Sequence, residues 1–279
     1  LKAVKGHGTE NDFVVLPDLD AAILLSPSLV RAICDRHAGI GADGVLRVVR
    51  TALASEADVR EQAAHAEFFM DYHNADGSIA EMCGNGVRVF VRYLERMGLI
   101  SGPTAVATRG GIKTVAFDGD RVSVDMGLPV SRPESPSVTA TGLIGVHKST
   151  AIDMPNPHVV VELEDEAALA GIDLSWPPTV QPSLPDGQNV EFIVRTGERR
   201  LRMRVHERGV GETRSCGTGI CAAAVAAAGL EAGAGEWLVD VPGGRCEVSW
   251  TGSGSVVLAG PAVLVADIEI ADAWLVSHR

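Results

Sequence analysis

Cys83-Gly84-Asn85-Gly86 and Cys216-Gly217-Thr218-Gly219 are the two stretches on which the fold turns. Each opens a helix-like run. Val87, Phe90, Val91, Leu94 and Met97 follow the first on one helical side, and Ile220 through Ala228 follow the second with no polar residue among them. A one-sided apolar stripe marks an amphipathic helix, whereas a helix apolar on every face belongs inside a protein, here within a surrounding sheet. Ten residues before each cysteine stands a histidine, His73 and His206, ending a strand-like run. Strand, turn, Cys-Gly-x-Gly and helix thus occur twice, 133 residues apart. This repeat predicts two similar halves, each with a cysteine at a helix N-terminus.

Around these helices the chain alternates short β-branched runs with Gly, Pro and Asp. Strands are predicted at 13–16, 67–72, 104–108, 112–117, 121–126, 158–161, 191–195 and 200–206, then at 237–241, 245–250, 255–258 and 263–270. Asp118-Gly119-Asp120 and Gly252-Ser253-Gly254 read as hairpin turns. Such spacing favours antiparallel sheets over a doubly wound βαβ fold. Besides 84–97 and 217–228, helices are predicted at 27–36 with Ser26 as N-cap, at the Ala-rich 51–66 excursion and at 164–170.

A chain of 279 residues suggests two domains. With 46% hydrophobic and 22% charged residues it can fill a core, which excludes disorder and small disulfide-stapled scaffolds. Twenty-four basic against 36 acidic residues give a net charge of −12, which argues against nucleic-acid or anionic-membrane partners. No apolar run reaches the roughly 18 residues of a membrane span, and Leu1 to Gly6 lacks a signal-peptide layout; the start at Leu1 reads as a trimmed initiator. Five cysteines, an odd number, suggest reduced thiols and a cytoplasmic location.

A cysteine just before a helix has its thiolate favoured by the helix dipole, so it can act as a base near neutral pH. The Gly-x-Gly that follows lets backbone N–H groups approach an anion. Two such units suit inversion of a carbon acid. One thiolate removes the proton α to a carboxylate, the other thiol protonates the opposite face, and the helix N-termini stabilise the developing charge. This chemistry needs neither metal nor cofactor, and none of the four lysines sits in a phosphate-binding context for pyridoxal phosphate. Cys34, Cys221 and Cys246 lie in apolar patterns and read as small buried hydrophobes.

Seven blocks in order resemble the diaminopimelate epimerase family: Gly8-Thr9-Glu10-Asn11-Asp12-Phe13, the run from Arg36 to Gly44, Asn74-Ala75-Asp76-Gly77-Ser78, Met82 to Gly86, Asn156-Pro157-His158, Asn189, and Glu207-Arg208-Gly209 leading to Ser215 through Gly219. The resemblance implies an α+β fold of two pseudo-symmetric domains, each a curled, mostly antiparallel, barrel-like sheet around a central helix. The active site would lie in the interdomain cleft. It implies domains of 1–117 plus 262–279 and of 118–261, and cofactor-independent interconversion of LL- and meso-diaminopimelate in lysine and peptidoglycan precursor synthesis. Cys83 and Cys216 would be the two acid/base residues. Gly84, Asn85, Gly217 and Thr218 would bind the reacting carboxylate; His158 and Glu207 would position the amino group or tune the thiols. Asn11, Asn74, Asn156, Asn189 and Arg208 would hold the remaining polar groups, with Arg208 on the distal carboxylate. A homodimer is expected.

Simpler readings stand beside these. Asn74 and Asp76 suit a turn, Asn156 precedes a proline, and Arg208 suits a solvated surface. Some family members carry Gln where this chain has Gly44, so a substrate contact would be missing there or supplied by water. The 51–66 excursion is assigned no function. A proline or hydroxyproline racemase needs the thiol pair without a second clamp, and a redox or ligand-binding module would use the thiols without catalysis.

Overall fold

The computed structural model describes residues 1–229 and 235–278. The chain divides into two units, Leu1–Val124 with Pro261–Arg279 and Asp125–Gly260. Each is a sheet curled on one buried helix, and the same strand order builds both.

In the first unit Lys2–Gly8 runs antiparallel to Asn11–Pro17, which lies parallel to Gly44–Arg50. Gly44–Arg50 pairs antiparallel with Phe68–Asn74, which is parallel to Thr104–Ala107, itself antiparallel to Lys113–Asp118. Val263–Glu269 returns to pair with Lys2–Gly8. In the second unit Thr150–Asp153, Pro157–Glu162, Asn189–Gly197, Arg200–Glu207, Gly235–Val241 and Gly244–Trp250 repeat that order with the same sequence of antiparallel and parallel pairings. The sheets are therefore mostly antiparallel, with two parallel pairs in each unit.

Register makes the correspondence residue by residue. Phe13 faces Gly44 and Val15 faces Leu46 in one parallel pair, where His158 faces Asn189 and Val160 faces Glu191 in the other. Val45 lies opposite His73, as Val190 lies opposite His206. Phe13 thus corresponds to His158, Leu46 to Glu191, Gly44 to Asn189 and Asn74 to Glu207.

The helix Gly84–Arg96 buries Val87, Val89, Phe90, Val91 and Leu94 completely, each worth about 1.5–3 kcal/mol. Met97 is an exception to the expected stripe: it caps the helix and is exposed, because Gly98 follows with positive φ and turns the chain away. Fully buried Arg88 ties this helix to the first hairpin through Thr9 Oγ1 and to the returning C-terminal segment through the Pro261 carbonyl. The helix Gly217–Ala228 packs against all six of those strands. Alanine at half of its positions keeps it thin enough for strands to close in on every side.

Three sequence expectations are corrected. The 51–66 excursion is not one helix but short turns, Thr51–Leu53, Ala57–Arg60 and Glu61–Ala64. Its alanines lack an apolar stripe, and it is held instead by Ala54, Val59 and Ala66 packed with Val49, Phe69 and Ala107, and by the Arg109–Glu56 ion pair. Strands Lys2–Gly8 and Gly44–Arg50 were not expected; Gly and Lys interrupt the first, and Arg47 lies within the second. The predicted helix at 27–36 ends at Cys34, with Ser26 Oγ accepting the Leu29 N–H as its N-cap. Among the described residues no helix is long and apolar enough to cross a membrane.

Candidate active site

Both cysteines occupy the N-cap position of their unit's buried helix. Cys83 Sγ accepts the Gly86 N–H at 3.4 Å, and Cys216 Sγ accepts the Gly219 N–H at the same distance. A cap normally supplied by Ser or Asp is here supplied by sulfur, so each thiol lies at the positive end of a helix. The following Gly-Asn-Gly and Gly-Thr-Gly place first-turn N–H groups, which have no intrahelical acceptor, beside it.

In the first unit Asn11 is a side-chain partner of the thiol. Its Oδ1 accepts from Cys83 Sγ at 3.6 Å and from Asn85 Nδ2 at 3.2 Å. Its Nδ2 donates to Asp43 Oδ2 at 2.7 Å, which fixes the amide with its oxygen toward the thiol. Asp43 is in turn held by Arg36, which also clasps Asp12; Lys5 pairs with Asp12 as well. Burial alone would raise the Asp12 carboxyl, but Arg36 and Lys5 outweigh it and hold it at about 2. The half-site thus rests on a carboxylate brace that stays ionised. Asn74 ends its strand with Nδ2 on Ser78 Oγ, so its side chain is engaged in the turn that follows.

The second unit surrounds its thiol with acid. Cys216 is almost fully buried, with Thr218 Oγ1 at 3.4 Å and the Glu207 carboxylate in hydrogen-bonding contact. Burial, and then the charges of Glu207 and Glu191, push its thiol well above the ordinary cysteine range, against the Thr218 hydroxyl and the Gly219 N–H. The helix N-terminus therefore does not by itself make Cys216 a base near neutral pH, as its motif suggested. Glu207 accepts from the Thr213 hydroxyl, and burial and the Glu191 charge raise its carboxyl too. His158, on the neighbouring strand and fully buried, meets Glu191 Oε1 through Nδ1 at 2.7 Å and Asn156 Oδ1 through Nε2 at 3.1 Å.

Asn189 and Arg208 are joined to each other. Asn189 Oδ1 accepts the Arg208 N–H at 2.9 Å, and the exposed guanidinium donates to the Asp186 carbonyl. Asn189 thereby shapes the turn that carries Glu207 and Arg208. At Gly44 the structure replaces a simple vacancy with a steric limit: a Cβ there would lie 2.5 Å from the His73 carbonyl oxygen and 2.7 Å from Tyr72 Cε2. Glu191, Asp43 and Thr213 were missed from sequence. Asp43 lies in the Arg36–Gly44 block, and Glu191 shows as one acid within the apolar run of Asn189 to Val194. Among the described residues no cluster of His, Cys, Asp and Glu is arranged to hold a metal ion.

A solved hydroxyproline epimerase from Agrobacterium vitis shares this fold, with a TM-score of 0.67 at 14% identity over 97% of this chain and 92% of that one. At that identity the likeness is of fold alone, the fold of two duplicated, helix-centred units. A narrower match comes from the family model described as diaminopimelate epimerase, which fits residues 3–131 and 150–265. A diaminopimelate epimerase of Streptomyces coelicolor is 51% identical across 98% of this chain and 96% of its own length. One from Thermobifida fusca is 48% identical across 97% and 98%. The chain belongs to the diaminopimelate epimerase family.

Proposed function

We propose that this protein interconverts LL- and meso-diaminopimelate without a cofactor, using Cys83 and Cys216 as the two acid/base residues. The observation that carries the reading is the matched pair of thiols, each capping a buried helix and each receiving the N–H of the third residue on, in a chain of this family. One sulfur, as thiolate, takes the α proton; the other, as thiol, delivers its proton to the opposite face. The C–H bonding pair passes into the carboxylate as an enediolate, which the first-turn N–H groups of Gly84, Asn85, Gly217 and Thr218 stabilise. The raised Cys216 thiol fits the proton-donating role in the free enzyme.

His158 and Glu207 orient the reacting amino group and set the thiol's charge state. Asn11, Asn74, Asn156 and Asn189 present amides to the substrate's polar groups, and Arg208 pairs with the distal carboxylate. The reading places the enzyme in the cytoplasm, in lysine and cell-wall precursor synthesis. Exposed Val263 and Val265 on the returning C-terminal strand support a homodimer.

The test is solvent exchange. LL-diaminopimelate incubated with the protein in deuterated water gains one α-deuterium as it becomes meso, and Cys83→Ala or Cys216→Ala abolishes inversion while the fold is kept. Absence of deuterium refutes catalysis and favours a binding or redox module. Inversion of proline or hydroxyproline in preference to diaminopimelate favours a racemase.

A further inference from the structure

Arg88 has no exposed surface and, among the described residues, no carboxylate partner. Its Nη2 donates to Thr9 Oγ1 at 3.0 Å and its Nε to the Pro261 carbonyl at 3.3 Å. Nη1 is sealed from solvent with no acceptor among the described residues. The guanidinium lies against the first turn of the helix: a Cβ on Gly8 would meet the Asn85 carbonyl oxygen at 3.0 Å and Arg88 Nη2 at 3.1 Å. The sheet face over this helix supplies no counter-charge there. Gly6, Gly8, Phe13 and Leu46 turn toward the helix, so by strand alternation and pairing Lys5, Asp12, Arg47, Asp71 and His73 turn to the other face. On the helix face, Tyr72 lies opposite Leu46, and Asp267 is paired with Arg96 at the far end of the helix. Asp43, behind Asn11, is paired with Arg36. In the second unit the equivalent helix position, 133 residues on, is Cys221, equally buried. The same layer therefore forms without a cation, and packing does not require one.

Arginine is a cation throughout the pH range in which proteins work, and a buried cation without a counter-ion is costly to keep. That cost is tolerated where the missing negative charge is one that the reaction itself supplies. The half-site can supply it at Cys83, which caps this same helix. We propose that Arg88 is a positioning residue of the reaction: its unmatched charge, set against Asn85 under the first turn, favours the thiolate of Cys83 and makes that cysteine the base of the free enzyme. The physical basis is that an opposite charge nearby stabilises the ionised form of a group. The surroundings of Cys216 act the other way, since burial and then the Glu207 and Glu191 charges hold the proton on its sulfur. A cation under one thiol and acids around the other thus suit a base and an acid in turn. This inference rests on the epimerase reading and adds to it a residue that does not touch substrate.

Alkylation of the full chain by iodoacetamide, followed by mass spectrometry on the Cys83 peptide across pH, gives the midpoint at which this thiol ionises. In the wild-type protein that midpoint lies below the ordinary thiol value of about 8.5 and below that of Cys216. Arg88→Gln removes the charge and keeps a polar side chain. Its Cys83 midpoint rises by about one unit, so at pH 7 the thiol reacts about 10-fold more slowly. The kcat/KM for diaminopimelate falls with it, and the ratio of variant to wild-type kcat/KM recovers as pH is raised from about 7 to about 9, because the lost thiolate returns. A defect of packing would not respond in that way. Thr9→Val takes away the hydroxyl acceptor of Arg88 and leaves its charge, and the Cys83 midpoint stays within about 0.3 unit of wild type. An Arg88→Gln protein with an unmoved midpoint, or a Thr9→Val protein shifted as far as Arg88→Gln, overturns the proposal. If Arg88→Gln does not fold, the wild-type titration decides alone, and a Cys83 midpoint at or above about 8.5 refutes it. A Cys83 midpoint that moves with Arg88 in a protein that exchanges no deuterium refutes the epimerase reading instead.

Discussion

Equivalent glycines in the two units should respond in opposite ways to one methyl group. Gly86 and Gly219 occupy the same place in the first turn, and Gly→Ala there gains up to about 1 kcal/mol by restricting the unfolded chain. At Gly86 the new Cβ lies 3.2 Å from a leucine methyl, which can retreat by a few tenths of an ångström. The contact costs no more than about 1 kcal/mol, so Gly86→Ala should be near neutral in stability. At Gly219 the Cβ lies 2.5 Å from Glu191 Oε1, whose carboxylate is sealed from solvent and fastened to His158 at 2.7 Å. Moving it breaks the buried His158 hydrogen bond to a carboxylate, about 1.5–3 kcal/mol, and strains the packing by about 1–3 kcal/mol, so a net loss of about 2–4 kcal/mol is expected. For a protein of this size that is a fall in Tm of about 5–15 °C. Thermal unfolding by circular dichroism of the two single variants measures the difference. The reasoning has a second, stricter check. In a His158→Phe/Glu191→Leu background, which copies the first unit, Gly219→Ala should be tolerated as Gly86→Ala is, giving a coupling of about 2 kcal/mol or more. Equal stabilities for the two single variants, or no coupling, would refute the claim that the buried carboxylate sets this limit.

Gly44→Gln should lower stability by about 1–3 kcal/mol, since the His73 carbonyl cannot move without disturbing the strand pair; an unchanged Tm would sink this. Asp71 is held at about 2: burial would raise it, but hydrogen bonds and charge from His73 and Arg109 lower it further than burial lifts it. A carboxyl depressed on folding from 3.8 contributes about 2 kcal/mol that is complete above about pH 5 and lost as pH falls toward 2. Asp71→Asn should flatten the stability–pH curve in that acid window, a change read by urea titration at stepped pH; an unaltered slope would exclude Asp71 as its source. Arg208→Ala should reduce kcat/KM for diaminopimelate by about 10- to 100-fold, the worth of a charged hydrogen bond, while Tm stays within about 2 °C. Equal losses on diaminopimelate and on proline would remove Arg208 from distal-carboxylate recognition.

How much of this was legible in sequence depends on what each residue reports. Cys83-Gly84-Asn85-Gly86 and Cys216-Gly217-Thr218-Gly219 announce themselves because capping, glycine spacing and helical periodicity are local, and local rules act within a few residues. The alternation that predicts a strand cannot reveal its partner, so the two parallel pairings of each unit were invisible until the register was seen. The 51–66 excursion misled for a related reason: alanine favours helix, but tertiary contacts through Glu56 and Val59 decided otherwise.

The halves were readable as copies, yet their difference was not. Phe13 and His158 sit 145 residues apart, as do Leu46 and Glu191, whereas the cysteines are 133 apart. The copies have drifted in loop length, so a single offset aligns the helices and misaligns the strands beneath them. Only pairing register restores the match, and it places a hydrogen-bonded histidine and glutamate on one side where the other has two hydrocarbons. A duplicated scaffold supplies two thiols in the same local geometry. In the inversion proposed above one thiol is a base while the other is an acid, and unlike surroundings bias which of the two holds the proton in the free enzyme. The buried acids beside Cys216, set against the amide and brace beside Cys83, are where this sequence breaks its own symmetry.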